Sequence, residues 1–228
     1  GVVLVLYATI LEPILPGATS HIVTASVISL PAALLIARVM IPSSASSADA
    51  DEDLNSLSYD SSLDAVVQGT MDGMKLYLAI IAILIVVFAF VSLGNQMLGL
   101  LPDVTGTGLT IGRIFGWLFA PIVLLFGIPP GEALAAGQLM GTKAVLNEFV
   151  AYQALAGLDP GVLSPRSTLI MTYALCGFAN LASVGMLVSV IGTLAPDNRS
   201  AALSLGMKAW VAGNLATGMT GAVIGLVS

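Results

Sequence analysis

Long apolar stretches separated by shorter polar ones dominate the hydrophobic pattern of this chain. A membrane-spanning helix needs about 20 mostly apolar residues. Three stretches meet this requirement, at residues 19–41, 76–101 and 200–228. A fourth apolar stretch, residues 1–11, is too short to span alone, and we interpret it as the second half of a helix that ends at Glu12. The pattern therefore predicts an all-α polytopic membrane protein.

The segment between the first two of these spans is polar. Residues 42–75 begin as a loop rich in Ser, Ala and Asp. From residue 61 onward, apolar side chains follow helical spacing and acidic side chains lie on the other faces, which is typical of a helix lying in the membrane interface. We therefore predict an acidic loop and an interfacial amphipathic helix, followed by a separate span at residues 76–101.

The region from residue 102 to residue 228 has a different pattern. Within residues 130–157, Gly141 and Thr142 interrupt an apolar stretch. Each of the two halves is too short to cross a hydrocarbon core of about 30 Å. The pattern predicts a re-entrant helical hairpin, which enters the membrane partway and returns.

A helix broken near its middle is predicted at residues 167–195. No charged residue occurs from residue 167 to residue 196, a stretch longer than one span requires. Small and polar residues from Cys176 to Ser183 occupy its centre. Discontinuous helices are typical of transporter sites, because the freed backbone groups and the helix ends bind ions and substrate there.

Composition agrees with lipid as the solvent for much of the surface. Of the 228 residues, 57% are apolar and 9% are charged, whereas soluble domains carry about 25% charged residues. The net charge is −6, and seven of the 13 acidic residues lie between Asp49 and Asp72. The absence of a basic patch argues against nucleic acid as a partner. The single cysteine, Cys176, excludes an internal disulfide framework and a cysteine-rich metal site.

Glu148 and Lys143 are charged residues in an apolar region, where a charge costs at least about 2.5 kcal/mol. They are five positions apart, so they do not share a face of one straight helix. Either Glu148 faces a substrate cavity, or it lies at a helix end in the interface. Asn180 and Ser183 share a helix face, and either they bind substrate or Asn180 bonds a neighbouring helix. We interpret the remaining candidates as interface residues: His21, Tyr7, Tyr59, Tyr77, Trp117 and Trp210.

Two strings are specific enough to indicate a family. The first resembles the signature of the concentrative nucleoside transporters at every fixed position: Gly141-Thr142-Lys143-Ala144-Val145-Leu146-Asn147-Glu148-Phe149-Val150-Ala151-Tyr152. The second is similar to another signature of that family: Tyr173-Ala174-Leu175-Cys176-Gly177-Phe178-Ala179-Asn180. The resemblance covers essentially the whole chain.

The resemblance implies symport of nucleosides such as uridine, with a sodium ion or a proton as the coupling ion and no other cofactor. It implies a homotrimer embedded in the lipid of a bacterial inner membrane, with no enzymatic activity. Each protomer of the family has two inverted repeats, and this chain would hold one full and one partial repeat. Glu148 is expected to bond the ribose hydroxyls, and the other expected substrate contacts are Asn180, Ser183, Phe178 and Asn147.

The chain departs from the family in one respect. The family's first hairpin carries a Gly-Gln-Thr-Glu-type motif, and no such string occurs here. The chain also opens inside an apolar run without a Met. We therefore expect a C-terminal portion that supplies the ribose-contacting half of the site and does not transport alone. Two alternatives stay open, a truncated, transport-incompetent product and an intramembrane enzyme that uses Glu148 as an acid or base.

Overall fold

The computed structural model describes residues 2–42, 60–102 and 108–228. Within these ranges the chain forms α-helices and no β-strand, which confirms the predicted all-α fold. Most of the predicted acidic loop, residues 43–59, lies outside the described residues. In chain order the helices are α1 (Val2–Leu11), α2 (Ala18–Met40), α3 (Ser62–Leu98), α4 (Ile111–Leu124), α5 (Ala133–Val145), α6 (Glu148–Ala156), α7 (Pro165–Leu175), α8 (Leu181–Leu194) and α9 (Arg199–Val227).

Three of the described helices are long and apolar enough to cross a membrane. They are α2, α3, and α9 together with the 3₁₀ turn Pro196–Asn198 that precedes it. The most apolar windows of α2 and α3 have mean hydropathies of 2.0 and 3.0. Helices α4 and α8 are apolar as well, but they have only 14 residues each. The chain is therefore an integral membrane protein that combines full spans with shorter helices.

Helix α3 runs without interruption for 37 residues, so the boundary predicted between residues 75 and 76 is absent. No proline lies inside it, and Lys75 bonds Asp72 one turn away at 2.9 Å, just before the predicted boundary. At about 1.5 Å per residue the helix is about 55 Å long, so it exceeds a hydrocarbon core of about 30 Å. Its charged first turns therefore lie beyond the core rather than in a helix of their own.

Helices α4 and α5 approach so closely that their backbones touch. A Cβ atom at Gly137 would lie 2.5 Å from the carbonyl oxygen of Gly116, and one at Gly141 would lie 2.8 Å from the Gly116 nitrogen. Gly141 is thus a packing residue inside α5, and the interruption predicted at Gly141 and Thr142 is absent there. The helix instead ends at Val145, and α6 begins at Glu148.

We call α5 and α6 with the two residues between them the hairpin (residues 133–156), and the non-helical residues between α7 and α8 the break segment (residues 176–180). The hairpin contacts α1, α4, α7 and α8, and α9 packs across α2, α7 and α8. The hydrophobic core surrounds the hairpin, and its fully buried large side chains include Leu11, Ile22, Met140, Tyr152, Ile170, Met171 and Leu175. The hairpin is therefore the best-enclosed part of the described chain.

A carboxylate joins the start of the hairpin to the start of α7. Glu132 Oε2 accepts hydrogen bonds from the backbone nitrogen of Ser164 at 3.1 Å and from its hydroxyl at 3.2 Å. Burial alone would raise the pKa of Glu132, but hydrogen bonds from Ser167 and Ser164 outweigh it and hold this pKa below its usual value. Glu132 lies outside the three candidate spans. The ionised carboxylate therefore holds α7 against the hairpin.

The lowered pKa of Glu132 predicts a stability difference that depends on pH. A carboxylate whose pKa is lower in the folded state stabilises the fold above its unfolded-state pKa, and this contribution is lost as the pH falls through its folded-state pKa. Relative to the native protein, Glu132→Gln is expected to lower the thermal midpoint at pH 7, by the equivalent of about 1 kcal/mol for a partly exposed group. The difference is expected to shrink below about pH 4.

Thermal midpoints of the two purified proteins in detergent, measured between pH 7 and pH 3.5, test this expectation. Ser164→Ala is the matched control, because it removes a donor to the same oxygen and leaves the carboxylate in place. It is expected to lower the midpoint as well, with a smaller dependence on pH than Glu132→Gln, because the backbone nitrogen of Ser164 still donates to the carboxylate. A Glu132→Gln difference that stays constant over this pH range contradicts the assignment.

Candidate functional site

The carboxylate of Glu148 is buried and hydrogen-bonded where three parts of the fold meet. Only 7% of the residue is exposed. Oε1 accepts a hydrogen bond from the hydroxyl of Tyr7 in α1 at 2.8 Å, and Oε2 accepts one from Nδ2 of Asn180 in the break segment at 3.4 Å. Glu148 is the first residue of α6, where the helix dipole favours a negative charge. The fold thus supplies two hydrogen-bond donors and a helix N-terminus to a buried carboxylate.

Asn147 positions Glu148 by starting the helix. Its backbone is extended, and its side chain accepts a hydrogen bond from the backbone nitrogen of Val150 at 2.9 Å, which is an N-cap. The structure therefore places Asn147 next to Glu148 in the chain, with its side-chain oxygen engaged in capping α6. Its predicted contact with substrate stays a prediction.

Asn180 has the same role at the start of α8. Its Oδ1 accepts a hydrogen bond from the backbone nitrogen of Ser183 at 2.8 Å. The backbone nitrogen of Asn180 donates in turn to the Ser183 hydroxyl at 3.1 Å, and the two bonds form a capping box. Because Oδ1 is engaged in this cap, the amide nitrogen faces Glu148. The structure therefore brings two of the predicted site residues, Glu148 and Asn180, into direct contact.

A cleft of about 390 Å³ opens beside this pair. It is lined by Glu148 and Tyr7, by Ser26 and Ser29 of α2, and by residues 176–178 of the break segment. This volume lies within the range of small-molecule sites, about 300–1,000 Å³. The ring of Phe178, the third predicted site residue, is 60% exposed and lines the cleft. A ligand in the cleft has access to a carboxylate, to hydroxyls and to an aromatic ring.

Ser183 is placed differently from the other predicted site residues. It lines a second cavity of about 320 Å³, between α3, α8 and α9, together with Ile80 and Trp210. Its hydroxyl also donates to the carbonyl oxygen of Asn180 at 2.6 Å. Phe178 lines both cavities. The described geometry therefore links Ser183 to the site through Asn180 rather than through the cleft that contains Glu148.

Tyr7 is a site residue that the sequence analysis missed. We interpreted it as an interface anchor, and this was wrong, because only 8% of it is exposed and its hydroxyl bonds Glu148. Its ring also packs against Tyr152, with 4.9 Å between ring centroids. No local pattern indicates this role, since Tyr7 and Glu148 are 141 positions apart in the chain.

Two other residues interpreted as interfacial are tied to buried helices. His21 in α2 is half-buried, and its Nδ1 lies 3.0 Å from the hydroxyl of Tyr173 in α7. The indole nitrogen of Trp210 in α9 donates to the carbonyl oxygen of Ala144 in the hairpin at 3.1 Å. Both side chains therefore make contacts between helices, which amphipathic side chains also make in protein interiors.

Lys143 is fully buried in α5, and no ion pair joins it to Glu148 in the described part of the chain. Its ammonium nitrogen donates to the hydroxyl of Thr217 at 2.6 Å and to Oδ1 of Asn214 at 3.3 Å, both on α9. Lys143 and Glu148 lie on different arms of the hairpin. The sequence had indicated that the two residues do not share a face, and the structure agrees.

The cleft is suited to a neutral ligand rich in hydroxyl groups. A carboxylate accepts hydrogen bonds and repels anions, and no Lys or Arg is among the residues that line this cleft. A phosphate group would require such cations. Within the described residues, no group of three or more His, Cys, Asp and Glu side chains is placed to hold a metal ion. The geometry therefore favours binding through hydroxyls and an aromatic ring.

Comparisons with known proteins indicate one family of transporters. Residues 21–225 match the family described as Na⁺ dependent nucleoside transporter C-terminus. The chain is 33% identical to the nucleoside permease NupC of Helicobacter pylori, over 96% of this chain and 55% of that protein. It is 38% identical to an uncharacterized transporter of Haemophilus influenzae, over 91% of this chain and 51% of that protein. A solved structure of a CNTnw variant in an outward-facing state superposes with a TM-score of 0.83 at 33% identity, covering 100% of this chain and 54% of the other. The chain spans about half the length of the curated relatives it matches.

Proposed function

Because the chain belongs to the family of Na⁺-dependent nucleoside transporters, we propose that it is the C-terminal portion of a cation-coupled nucleoside symporter and supplies the ribose-contacting half of the substrate site. The observation that carries the proposal is the buried carboxylate of Glu148 at the edge of a cleft of about 390 Å³. Substrates would be nucleosides such as uridine, and the protein would work as a homotrimer in a bacterial inner membrane.

The two oxygens of one carboxylate match the two neighbouring hydroxyls of a ribose ring. Each hydroxyl donates to one oxygen, and hydrogen bonds to an ionised acceptor are about twice as strong as neutral ones. Tyr7 and Asn180 already bond Glu148 from two sides, so the carboxylate is held in place before a ligand arrives. Preorganisation of this kind lowers the ordering cost of binding. This supports Glu148 as the residue that recognises the sugar.

Phe178 and Asn180 support recognition of the rest of the nucleoside. The exposed ring of Phe178 offers a flat apolar surface in the cleft, on which a nucleobase or the sugar face can stack. Asn180 is the last residue of the break segment, and it contacts the same carboxylate that we assign to the ribose. Both side chains therefore adjoin a ligand bound at Glu148.

Coupling to a cation gradient is the second part of the proposal. The description of the matching family includes Na⁺, and a sodium ion or a proton would serve as the coupling ion. Break segments in transporters supply backbone carbonyls for such ions, and residues 176–180 form one here. The choice between sodium and proton is left to the experiment.

Uptake by the complete gene product in proteoliposomes tests the proposal. Labelled uridine is expected to accumulate under an inward sodium or proton gradient, and not when choline replaces sodium at symmetric pH. 2′,3′-Dideoxyuridine is expected to compete at least about tenfold less well than uridine, because it lacks both hydroxyls that Glu148 accepts. Equal competition by the two compounds would overturn the role of Glu148, and absence of gradient-driven uptake of any nucleoside would overturn the function.

A further inference from the structure

The buried ammonium of Lys143 begins a series of contacts that ends at Glu148. We call this series the circuit: Lys143 bonds Asn214, Asn214 bonds Ala179, and Asn180, the next residue in the chain, bonds Glu148. Lys143 is 0% exposed and bonds Asn214 and Thr217 on α9 rather than a carboxylate. A buried charge without a counter-ion is costly, and in membrane proteins such residues are retained for function. Nothing in the proposed binding of substrate uses Lys143 directly, since it does not line the cleft. Any effect of Lys143 on substrate binding is therefore indirect, through the side chains that it contacts.

Lys143 on one side and two carbonyl oxygens on the other hold the Asn214 amide in one orientation. An ammonium group has three donors and no acceptor, so only Oδ1 of Asn214 can face it, at 3.3 Å. The amide nitrogen of Asn214 is then directed to the other side. There it donates to the carbonyl oxygen of Ala179 at 3.1 Å, and within its own helix to that of Trp210 at 3.0 Å. Lys143 thereby helps to hold the amide nitrogen of Asn214 against the break segment.

The contact at Ala179 bears on the site because Ala179 directly precedes Asn180. Its carbonyl belongs to the break segment and accepts from α9. The amide of Asn180 is also oriented by its surroundings, because Oδ1 caps α8 and Nδ2 is left to face Glu148. Asn214 and Asn180 thus connect Lys143 on one arm of the hairpin to Glu148 on the other arm.

Helix α9 and the break segment are closely packed around these contacts. A Cβ atom at Gly177 would overlap Cγ2 of Thr217, and one at Gly213 would lie 2.8 Å from Cβ of Ala179. Helix α9 therefore lies directly against the break segment, with no room for a side chain between them. Thr217 is also the closer of the two hydrogen-bond partners of Lys143. The hydrogen bond from Asn214 to Ala179 therefore joins two segments that are already in direct contact.

We propose that Lys143 and Asn214 are positioning residues that hold the break segment so that Asn180 faces Glu148. They act on substrate affinity through the break segment and do not touch the substrate. The prediction for affinity depends on the proposed nucleoside site, whereas the prediction for the conformation of the break segment does not.

Two substitutions in the complete, purified transporter test the circuit. Lys143→Met keeps the length of the side chain and removes its charge and donors. Asn214→Asp keeps the acceptor for Lys143 and removes the donor to Ala179. Each is expected to weaken uridine binding, measured by calorimetry, by about tenfold, because each removes one hydrogen bond of the circuit. Asn214→Asp gives the ammonium of Lys143 a carboxylate partner, so this variant tests the circuit even if Lys143→Met does not fold.

Trp210→Phe is the matched control. It removes the other side-chain hydrogen bond between α9 and the hairpin, the one to the carbonyl of Ala144, and leaves the contacts of the break segment intact. It is expected to lower the thermal midpoint while changing uridine affinity less than about threefold. An equal loss of affinity in Trp210→Phe, or native affinity in Asn214→Asp, would overturn the proposal.

Cys176 supplies a readout that requires no nucleoside. It is the single cysteine of the chain, it lies in the break segment, and it is partly exposed. Alkylation by a maleimide, located by peptide mass mapping, is expected to be at least about threefold faster in Lys143→Met and Asn214→Asp than in the native protein, because the segment opens more often. It is expected to be unchanged in Trp210→Phe. Unchanged rates in both circuit variants would overturn the positioning role even if the native protein binds no nucleoside.

Discussion

Replacing Glu148 with glutamine is expected to weaken uridine binding by about 100-fold, because hydrogen bonds to a charged group contribute about 1.5–3 kcal/mol each. Glutamine has nearly the same shape, but one of the two acceptor oxygens becomes a donor. One ribose hydroxyl would then face an amide N–H, and the remaining oxygen, which can still accept from Nδ2 of Asn180, would be neutral. The expected loss therefore comes from the chemistry of the acceptor and not from a change in packing.

The measurement is calorimetric affinity for uridine in the complete transporter, alongside the thermal midpoint. Glu148→Gln is expected to keep or raise the midpoint, since it removes a charge from a residue that is only 7% exposed. Glu12→Gln is the matched control, because Glu12 is exposed and accepts from the Gly17 nitrogen in the turn after α1. It is expected to leave affinity unchanged. Native affinity in Glu148→Gln would contradict the assignment of the site.

Replacing Gly137 with alanine is expected to cause a large loss of stability. A Cβ atom there would lie 2.5 Å from the carbonyl oxygen of Gly116, and 2.7 and 2.9 Å from the nitrogen and Cα of Ala120. All three atoms are backbone, so no side-chain rotation relieves the overlap and α4 has to move away from α5. Overpacking of this kind typically costs about 1–3 kcal/mol, and we expect the upper end of that range.

Thermal midpoints and the yield of monodisperse protein in detergent test the effect of Gly137→Ala. Gly73→Ala is the matched control, because Gly73 is also inside a helix but a Cβ atom there would have no heavy atom of another residue within 4 Å. Alanine favours helix over glycine by about 1 kcal/mol, so the control is expected to be neutral or slightly stabilising. If the two variants have similar midpoints, the close contact between α4 and α5 is contradicted.

Hydropathy and polar interruptions were sufficient to predict several elements of this fold. The spans at α2 and α9 follow from long apolar stretches, and the centre of the break segment follows from the small and polar residues after Cys176. These signals are local, because each apolar side chain favours insertion into lipid independently of distant residues. The signature strings then indicated the family and singled out Glu148, whose burial and contacts the structure describes.

Glycine was the least predictable residue, because it serves opposite purposes. At Gly141 we predicted an interruption, whereas the structure uses the missing side chain for contact with α4 and keeps the helix intact. The end of α5 was signalled instead by Asn147, a favoured N-cap residue followed by an acidic residue in the first turn. Gly73 likewise lies inside α3 without ending it.

Contacts between distant positions were beyond the reach of any local pattern. The partner of Tyr7 is 141 residues away, and the contact of Asn214 with Ala179 spans 35. Neither side chain differs in its neighbourhood from a tyrosine or an asparagine that serves packing alone. The sequence thus singled out Glu148 as a candidate site residue, but not the side chains that contact it.

The partners of Lys143 also bear on the order in which the protein is made. Asn214 and Thr217 follow Lys143 by 71 and 74 residues, so the ribosome has not yet produced them when the hairpin emerges. Glu148 is in a different position, because its partner Tyr7 was synthesised long before. Helix α3 is apolar enough to enter lipid without partners. The ammonium of Lys143, in contrast, has its hydrogen-bond partners on α9. The hydrogen bonds that hold Lys143 can therefore form only after α9 has been synthesised, later than the contact between Tyr7 and Glu148.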